Sequence, residues 1–199
     1  MSAEGQRIPP LPNDEWDDDI VSLVTQQWTP GQMPPENYQP PNLFTTLARN
    51  RELFRTWSAF GYEAFNGPLT DRDRELIILR VAWRLQCRFE WANHEDFGIN
   101  CGLTDKEFRF VFEGPESEGI GEYDKLLLTV VEEFHHDGHI TDATWDALSQ
   151  HFDTEQLVYI PALIGEYTLV AYMANALRIR PDDLMPQLDS ARKRLTPSG

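Results

Sequence analysis

The sequence predicts an all-α fold of about seven helices. Apolar residues recur at three- and four-residue intervals along most of the chain, and the helices that this spacing predicts start at capping residues and stop at glycine or proline. The pattern of a β-hairpin, alternating apolar and polar residues on both sides of a tight turn, does not occur in the sequence. A chain of 199 residues is long enough for one domain whose core needs no disulfide or metal.

The composition restricts the partners and the location. The 33 Asp and Glu residues outnumber the 17 Lys and Arg residues, and the net charge of −16 disfavours nucleic acid and anionic membranes. The longest apolar stretch is expected around Leu76 to Leu85. It is shorter than a membrane-spanning helix, so no membrane span is predicted. The N-terminus lacks the basic-then-apolar order of a secretory signal, and two cysteines form no disulfide framework. We therefore expect a cytoplasmic protein.

Three regions follow from the distribution of prolines and apolar residues. Residues 1–41 are a proline-rich arm with room for one short helix between Asp14 and Trp28. Residues 42–180 are the helical domain, and residues 181–199 are a solvated tail. The apolar residues of the arm helix predict that it docks on its own domain or on a neighbouring subunit; they are Trp16, Ile20, Leu23 and Val24.

Within the domain, the first helical pattern runs from Asn42 to Gly67 and predicts one long helix or two. Thr70 caps the next helix, which is apolar on nearly every side and is therefore expected at the centre. The following helix continues beyond Cys87 to a glycine stop at Gly102. Four further helices are predicted from their boundary residues. The first starts at Thr104 with Glu107 and ends at Glu113 before Gly114, and the second lies between Gly121 and Gly138. Thr141 and Asp153 cap the last two, the second of which ends near Arg178.

The candidate chemistry lies between residues 69 and 108. Cys87, Glu90, Trp91 and His94 have helical offsets of zero, three, four and seven, which predicts one stripe carrying a thiol, a carboxyl and an imidazole. Glu75 precedes Cys87 by twelve residues and is surrounded in sequence by leucine and isoleucine. A carboxylate in such a setting needs a partner.

This block resembles the carboxymuconolactone decarboxylase and AhpD-like alkylhydroperoxidase superfamily, from about Asn42 to Ile179. In the peroxidase branch, a glutamate, a Cys-x-x-Cys pair and a histidine form a proton relay to a redox-active dithiol. Glu75, Cys87 and His94 match the glutamate, the first cysteine and the histidine. Glu90 occupies the position of the second cysteine, so this sequence departs from the dithiol pattern.

The decarboxylase branch, by the same resemblance, needs neither a metal nor an organic cofactor. It protonates or deprotonates an unsaturated lactone acid in pockets near subunit contacts, so the resemblance also implies a homo-oligomer, either a dimer or a larger ring. We expect an enzyme that acts on a small carboxylated compound by general acid/base catalysis. His94 would transfer the proton, Glu75 would orient it, and Cys87 would line the pocket.

Four residues are predicted to bind the substrate. Arg84 and Arg88 continue a four-residue spacing that begins at Arg80, and guanidinium groups bind carboxylates in bidentate geometry. Glu90 and Trp91 lie on the predicted stripe. Two interpretations of Cys87 stay open. Composition favours a small buried hydrophobic residue, whereas its position near a helix start predicts a lowered thiol pKa.

Two other functions stay open. The first is a thiol-dependent hydroperoxidase in which Cys87 reacts with peroxide and an external thiol resolves it. The second is a binding or assembly protein that kept the fold and lost the chemistry. A metal site at His135, His136, Asp137 and His139 is disfavoured, because Gly138 interrupts the helix and no second ligand pair has suitable spacing.

Overall fold

The structure is a computed structural model that describes residues 5–25 and 40–182. Within these ranges the regular elements are all helical, which confirms the all-α fold. A 3-10 turn (Asn13–Glu15) precedes nine α-helices: α1 Asp18–Thr25, α2 Asn42–Leu47, α3 Arg51–Phe65, α4 Asp71–Arg84, α5 Arg88–Asn100, α6 Asp105–Glu113, α7 Glu122–Asp137, α8 Asp142–Leu148 and α9 Thr154–Leu177. The predictions for arm residues 26–39 and for the tail from 183 onward lie outside the described residues.

Local signals account for the helix boundaries. The hydroxyl of Thr70 accepts a hydrogen bond from the backbone N–H of Asp73 at 3.2 Å, which caps α4. Capping boxes begin α6 and α9. Asn50 caps α3 and separates it from α2, so the first helical pattern is two helices. This break and the arm helix explain why the described residues hold more helices than the seven expected.

Helix α4 is the central element, as its composition predicts. All ten residues from Asp73 to Ala82 are buried, and the helix packs against α5, α6, α7 and α9. The main hydrophobic core forms around it. The polar members of this buried run therefore need partners inside the protein, which determines much of the site described below.

The N-terminal arm docks on its own domain. Ile20, Leu23 and Val24 are almost completely buried and belong to a second hydrophobic cluster, which also contains Cys87 and residues of α2, α3 and α9. Arg51 and Arg55 of α3 hold α1 through ion pairs with Asp17 and Asp19. Of the two docking alternatives, the structure therefore shows the intramolecular one for residues 5–25.

The chain turns sharply between α4 and α5. Gln86 has a positive φ of 52°, and the backbone N–H of Cys87 donates to the carbonyl of Ala82 at 2.9 Å. Cys87 is the N-cap of α5, and Arg88 is the first residue of that helix. The four-residue spacing of arginines on α4 therefore does not extend to Arg88, which belongs to α5.

Helix α9 is the longest apolar element, not the Leu76–Leu85 stretch. By length and composition it could cross a membrane, although 44% of its most apolar window is buried in the protein. It packs against α3, α4 and α5 and continues through Pro161. A core helix has the same properties, so one such helix is weak evidence for a membrane span.

Candidate active site

A buried polar chain links α4 to α5. The carboxyl of Glu75 is fully buried, and its Oε2 lies 2.7 Å from Nδ1 of His94. Its other oxygen accepts a hydrogen bond from Nε of Arg74 at 3.0 Å and forms an ion pair with Nη2 of the same residue at 2.9 Å. Arg74 also pairs with Asp71 at 2.6 Å. The structure thus brings together Glu75 and His94, which the sequence placed on different helices.

His94 stands among aromatic rings at the end of this chain. The Tyr167 ring is perpendicular to the imidazole at 4.9 Å between centroids, and Phe97 lies at 5.6 Å. Nδ1 contacts Glu75, whereas Nε2 has no hydrogen-bond partner among the described residues. If Nδ1 carries the hydrogen that Glu75 accepts, Nε2 has a free lone pair. The imidazole is thereby oriented for proton exchange through Nε2.

A cavity of about 430 Å³ lies beside His94. Its walls come mainly from α2, α3, α5 and α9, and aromatic side chains dominate them. The lining residues are Pro41, Leu43, Phe44, Trp57, Gly61, Tyr62, Phe65, Asn66, Phe89, Glu90, Asn93, His94, Phe97, Glu166, Tyr167 and Val170. A volume of this size accommodates a small organic molecule.

Two buried carboxyls, Glu90 of α5 and Glu166 of α9, also line the cavity. Their exposed fractions are 1% and 2%. Neither oxygen of Glu90, nor Oε2 of Glu166, has a hydrogen-bond partner in the described part of the chain. Burial raises the pKa of Glu166 to about 7, against a smaller opposing effect of the Trp57 indole. Burial and the nearby Glu166 charge raise the pKa of Glu90 well above its ordinary value.

Sequence reasoning missed Glu166. The signal that identified Glu75, an ionisable residue inside an apolar helical pattern, was also present here, because Glu166 lies between Ile164 and Tyr167 in an apolar helix. The sequence pattern of α9 predicts only a broad apolar surface.

Cys87 does not line the cavity. Its side chain is fully buried in the second hydrophobic cluster. Burial raises the pKa of the thiol, and the charge of Glu90 adds to the rise. The backbone N–H groups of Phe89 and Glu90 oppose it only weakly. The expectation of a lowered thiol pKa is therefore wrong, because desolvation outweighs the helix start.

The predicted arginine subsite is absent from the cavity wall. Arg84 reaches Glu132 of α7 at 3.3 Å, and Arg80 binds Glu132 and the carbonyl of Val111 from within the core. Arg88 is exposed in the first turn of α5 and does not line the cavity. Arg84 and Arg88 do not line this cavity, because α4 ends before Arg88 and its arginines face α7, and their role in substrate binding stays a prediction.

Trp91 is also outside the cavity. It is fully buried against Phe108 and Phe112, and its indole N–H donates to Glu95 at 3.1 Å. One residue of an α-helix turns the side chain by about 100°, so Trp91 points away from the face that Glu90 presents. Of the predicted stripe, only Glu90 and His94 reach the cavity.

The histidine-rich end of α7 has local contacts. Nδ1 of His135 lies 2.9 Å from the carbonyl of Val131, and His136 lies 3.1 Å from Asp137. Across residues 5–25 and 40–182, no group of three or more His, Cys, Asp or Glu side chains is arranged to hold a metal ion.

Comparisons with known proteins agree with this fold and motif. Residues 51–117 match the Carboxymuconolactone decarboxylase family. A peroxidase-related protein with an alkylhydroperoxidase AhpD core from Ralstonia eutropha JMP134 is 24% identical, with a TM-score of 0.71 over 90% of this chain and 95% of that one. An uncharacterized peroxidase-related protein from Silicibacter sp. TM1040 is 16% identical, with a TM-score of 0.73 over 92% and 96% of the two chains.

A third similar structure is the debrominase Bmp8, in a cysteine-to-alanine variant bound to 2,3,4-tribromopyrrole. It is 13% identical, with a TM-score of 0.70 over 97% of this chain and 99% of that one. No curated protein matches the sequence. The matched residues 51–117 include Glu75, Cys87 and His94, whose spacing carries the resemblance, and the similar structures share the fold of this chain.

Proposed function

We propose that the protein is a cofactor-independent enzyme that uses His94 as a general acid/base on a small organic compound held in the cavity. The observation that carries the proposal is the buried 2.7 Å contact between Glu75 and Nδ1 of His94 at the cavity wall. Its two partners are residues that the family motif singles out. A base must lie within reach of its substrate, and His94 lines the cavity that would hold it.

The Arg74–Glu75–His94 chain explains how the imidazole would act. Glu75 accepts the Nδ1 hydrogen, so Nε2 is the atom that takes a proton from the substrate. The resulting imidazolium is stabilised by the same carboxylate, which is fully buried. Arg74 holds Glu75 in place from the other side. Glu75 is thus a positioning residue, and His94 is the catalytic residue.

The reaction class follows from the family resemblance. Proton transfer in a decarboxylation, or in a related lyase or isomerase step, needs the acid/base group that His94 provides. Arg84 and Arg88 no longer support a carboxylated substrate, because neither lies at the cavity. We therefore retain the reaction class and describe the substrate as a small organic compound that fits between aromatic walls.

A thiol-dependent hydroperoxidase is the second candidate, and the peroxidase-related proteins of similar fold favour it. It ranks lower because Cys87 is fully buried and its pKa is raised. Cumene hydroperoxide tests it directly. Oxidation of Cys87 within minutes in the wild type, with no consumption by Cys87→Ser, would promote this candidate over the first.

The test of the first candidate uses 5-nitrobenzisoxazole, a neutral aromatic compound whose ring opens to a coloured phenolate when a base removes its C–H proton. We expect His94→Ala to lower the protein-catalysed rate by about 10²–10⁴-fold. Glu75→Gln should lower it less, because the imidazole stays in the cavity without its orienting carboxylate. Absorbance of the product gives the rates, and circular dichroism verifies folding.

His136→Ala is the matched control, because His136 is an exposed histidine that contacts only its neighbour Asp137 among the described residues. It should react at the wild-type rate. A folded His94→Ala protein as fast as the wild type would refute the proposal. The same result would favour a binding protein that lacks catalysis.

A further inference from the structure

We propose that Glu90 and Glu166 form a subsite for the ammonium group of a small organic amine, which gives the substrate of His94 a chemical class. The inference rests on the proposed function in one respect, namely that this cavity is where the substrate binds. It concerns a part of the cavity that the His94 mechanism does not use.

The first argument is the unmet hydrogen-bonding capacity of the two carboxyls. Three of their four oxygens are buried and without a partner among the described residues. Buried polar atoms in folded proteins are almost always paired, and an exception in a cavity wall indicates an absent partner. In the ionised carboxylates all three atoms are acceptors, so the partner of the ionised pair must donate hydrogen bonds. An ammonium group has up to three N–H donors, enough to reach both carboxyls.

The second argument is charge. No Lys or Arg from the described ranges lines the cavity. Arg74, the guanidinium behind the Phe65 ring, is already bound to Glu75 and Asp71. Two acidic groups that face one cavity repel each other and any anionic ligand when they are ionised, whereas a bound cation would reduce this repulsion. A carboxylated ligand is the least compatible with this wall.

The third argument is the aromatic lining. Phe44, Trp57, Tyr62 and Phe89 line the same cavity as the two carboxyls. Aromatic faces attract organic cations and also bury an apolar body, so they suit both parts of an amine such as benzylamine. The lining is thus complementary to a molecule with one cationic end and one ring.

Gly61 of α3 leaves space beside this pair. A Cβ at this position would lie 3.3 Å from Oε1 of Glu166, which is a tight contact. Ala at position 61 would place a methyl group against the carboxyl without changing any charge. It therefore tests the position of the subsite independently of the carboxyls.

The experiment is isothermal titration calorimetry at pH 8 with benzylamine, benzyl alcohol and benzoate, which share one ring and differ in the polar group. At this pH the solution is above the pKa of about 7 that burial gives Glu166. We expect benzylamine to bind at least about 10-fold more tightly than benzyl alcohol, and benzoate to bind weakest. Glu90→Gln, Glu166→Gln and Gly61→Ala should each lose about 10-fold or more of the benzylamine affinity.

Glu155→Gln is the matched control, because Glu155 is an exposed carboxyl on the same helix as Glu166. It should bind benzylamine as the wild type does. Equal binding of benzyl alcohol, tighter binding of benzoate, binding of none of the three, or unchanged benzylamine affinity in Glu90→Gln and Glu166→Gln would each overturn the proposal. His94→Ala separates the two ideas: it should keep the preference for benzylamine and lose the reaction with 5-nitrobenzisoxazole.

Discussion

Two acidic regions of the protein, one behind His94 and one in the cavity wall, differ in the number of partners that the folded chain gives them. On the side of α4, both oxygens of Glu75 are bound, one by Arg74 and the other by His94. On the side of α9, Glu166 and Glu90 face each other's charge, and three of their oxygens have no partner among the described residues. All three carboxyls are almost completely buried.

The hydrogen bonds of Glu75 are satisfied within the folded chain, whereas those of Glu90 and Glu166 would be satisfied by a bound ligand. Desolvation of a carboxyl is unfavourable in both regions, but only the Glu75 region recovers hydrogen bonds and charge neutralisation within the chain. We therefore expect Glu75 to stabilise the folded protein and Glu166 to destabilise it at neutral pH. Three substitutions test this comparison.

The largest effect is expected for Glu75→Ala. Removal of the carboxyl leaves the buried Arg74 and His94 without their shared partner, although Arg74 keeps Asp71. We expect the free energy of unfolding to fall by about 3 kcal/mol. Urea denaturation at pH 7 measures it, with Glu155→Gln as a control that should change little. A loss below about 0.5 kcal/mol would mean that the Arg74–Glu75–His94 chain contributes nothing to folding.

An intermediate effect of opposite sign is expected for Glu166→Gln. The pKa of Glu166 is raised from 4.5 to about 7, so the folded protein holds a proton that the unfolded chain releases between these pH values. The wild type should lose stability as the pH rises through this range, and the loss should be complete above pH 7. The variant should avoid this loss and be more stable by about 1–3 kcal/mol at pH 8.

Denaturation at pH 5 and at pH 8 provides the measurement. The difference between variant and wild type should be small at pH 5 and positive at pH 8. Burial raises the pKa of Glu90 in both proteins, and the variant lacks the part of the rise that the charge of Glu166 causes. A variant that is less stable than the wild type at pH 8 would show that Glu166 has partners in the folded protein.

The smallest effect is expected for Arg84→Ala, in a polar contact outside the cavity. The Arg84 side chain is 39% exposed, and its partner Glu132 also binds Arg80 at 2.6 Å. We expect a change in unfolding free energy within about 0.5 kcal/mol and no change in the rate with 5-nitrobenzisoxazole. A large loss of that rate would restore Arg84 to the substrate-binding site.

The helices were predictable because their signals are local. Thr70, Thr104 and Asp153 cap the helices that their spacing indicated, through contacts with residues three positions away. The apolar composition of α4 likewise predicted its central place, since a helix that is apolar on nearly every side must be covered on every side. These properties need only the near neighbours of each residue.

In the site, the sequence predicted only the contact between residues that the family motif specifies. The superfamily spacing indicated Glu75 and His94, and the structure brings them within hydrogen-bond distance. The same helical spacing misplaced Cys87 and Trp91. Cys87 is the N-cap of α5, after the left-handed turn at Gln86, and is buried in the second hydrophobic cluster. Trp91 lies about 100° around α5 from Glu90 and faces the main core. A glutamine at positive φ has no clear sequence signature, since this conformation is favoured by glycine and asparagine.

The sequence by itself therefore determined the helical elements, their caps, the acidic charge and the pair of residues most suited to proton transfer. The tertiary structure decided which side chains share the cavity, and it placed Glu166 of α9 beside Glu90 of α5 across 76 positions of sequence. The physical reason is that capping and periodicity act between near neighbours, whereas desolvation depends on every helix that surrounds a group. The missing hydrogen bonds of Glu90 and Glu166 became visible only when α3, α5 and α9 were packed together.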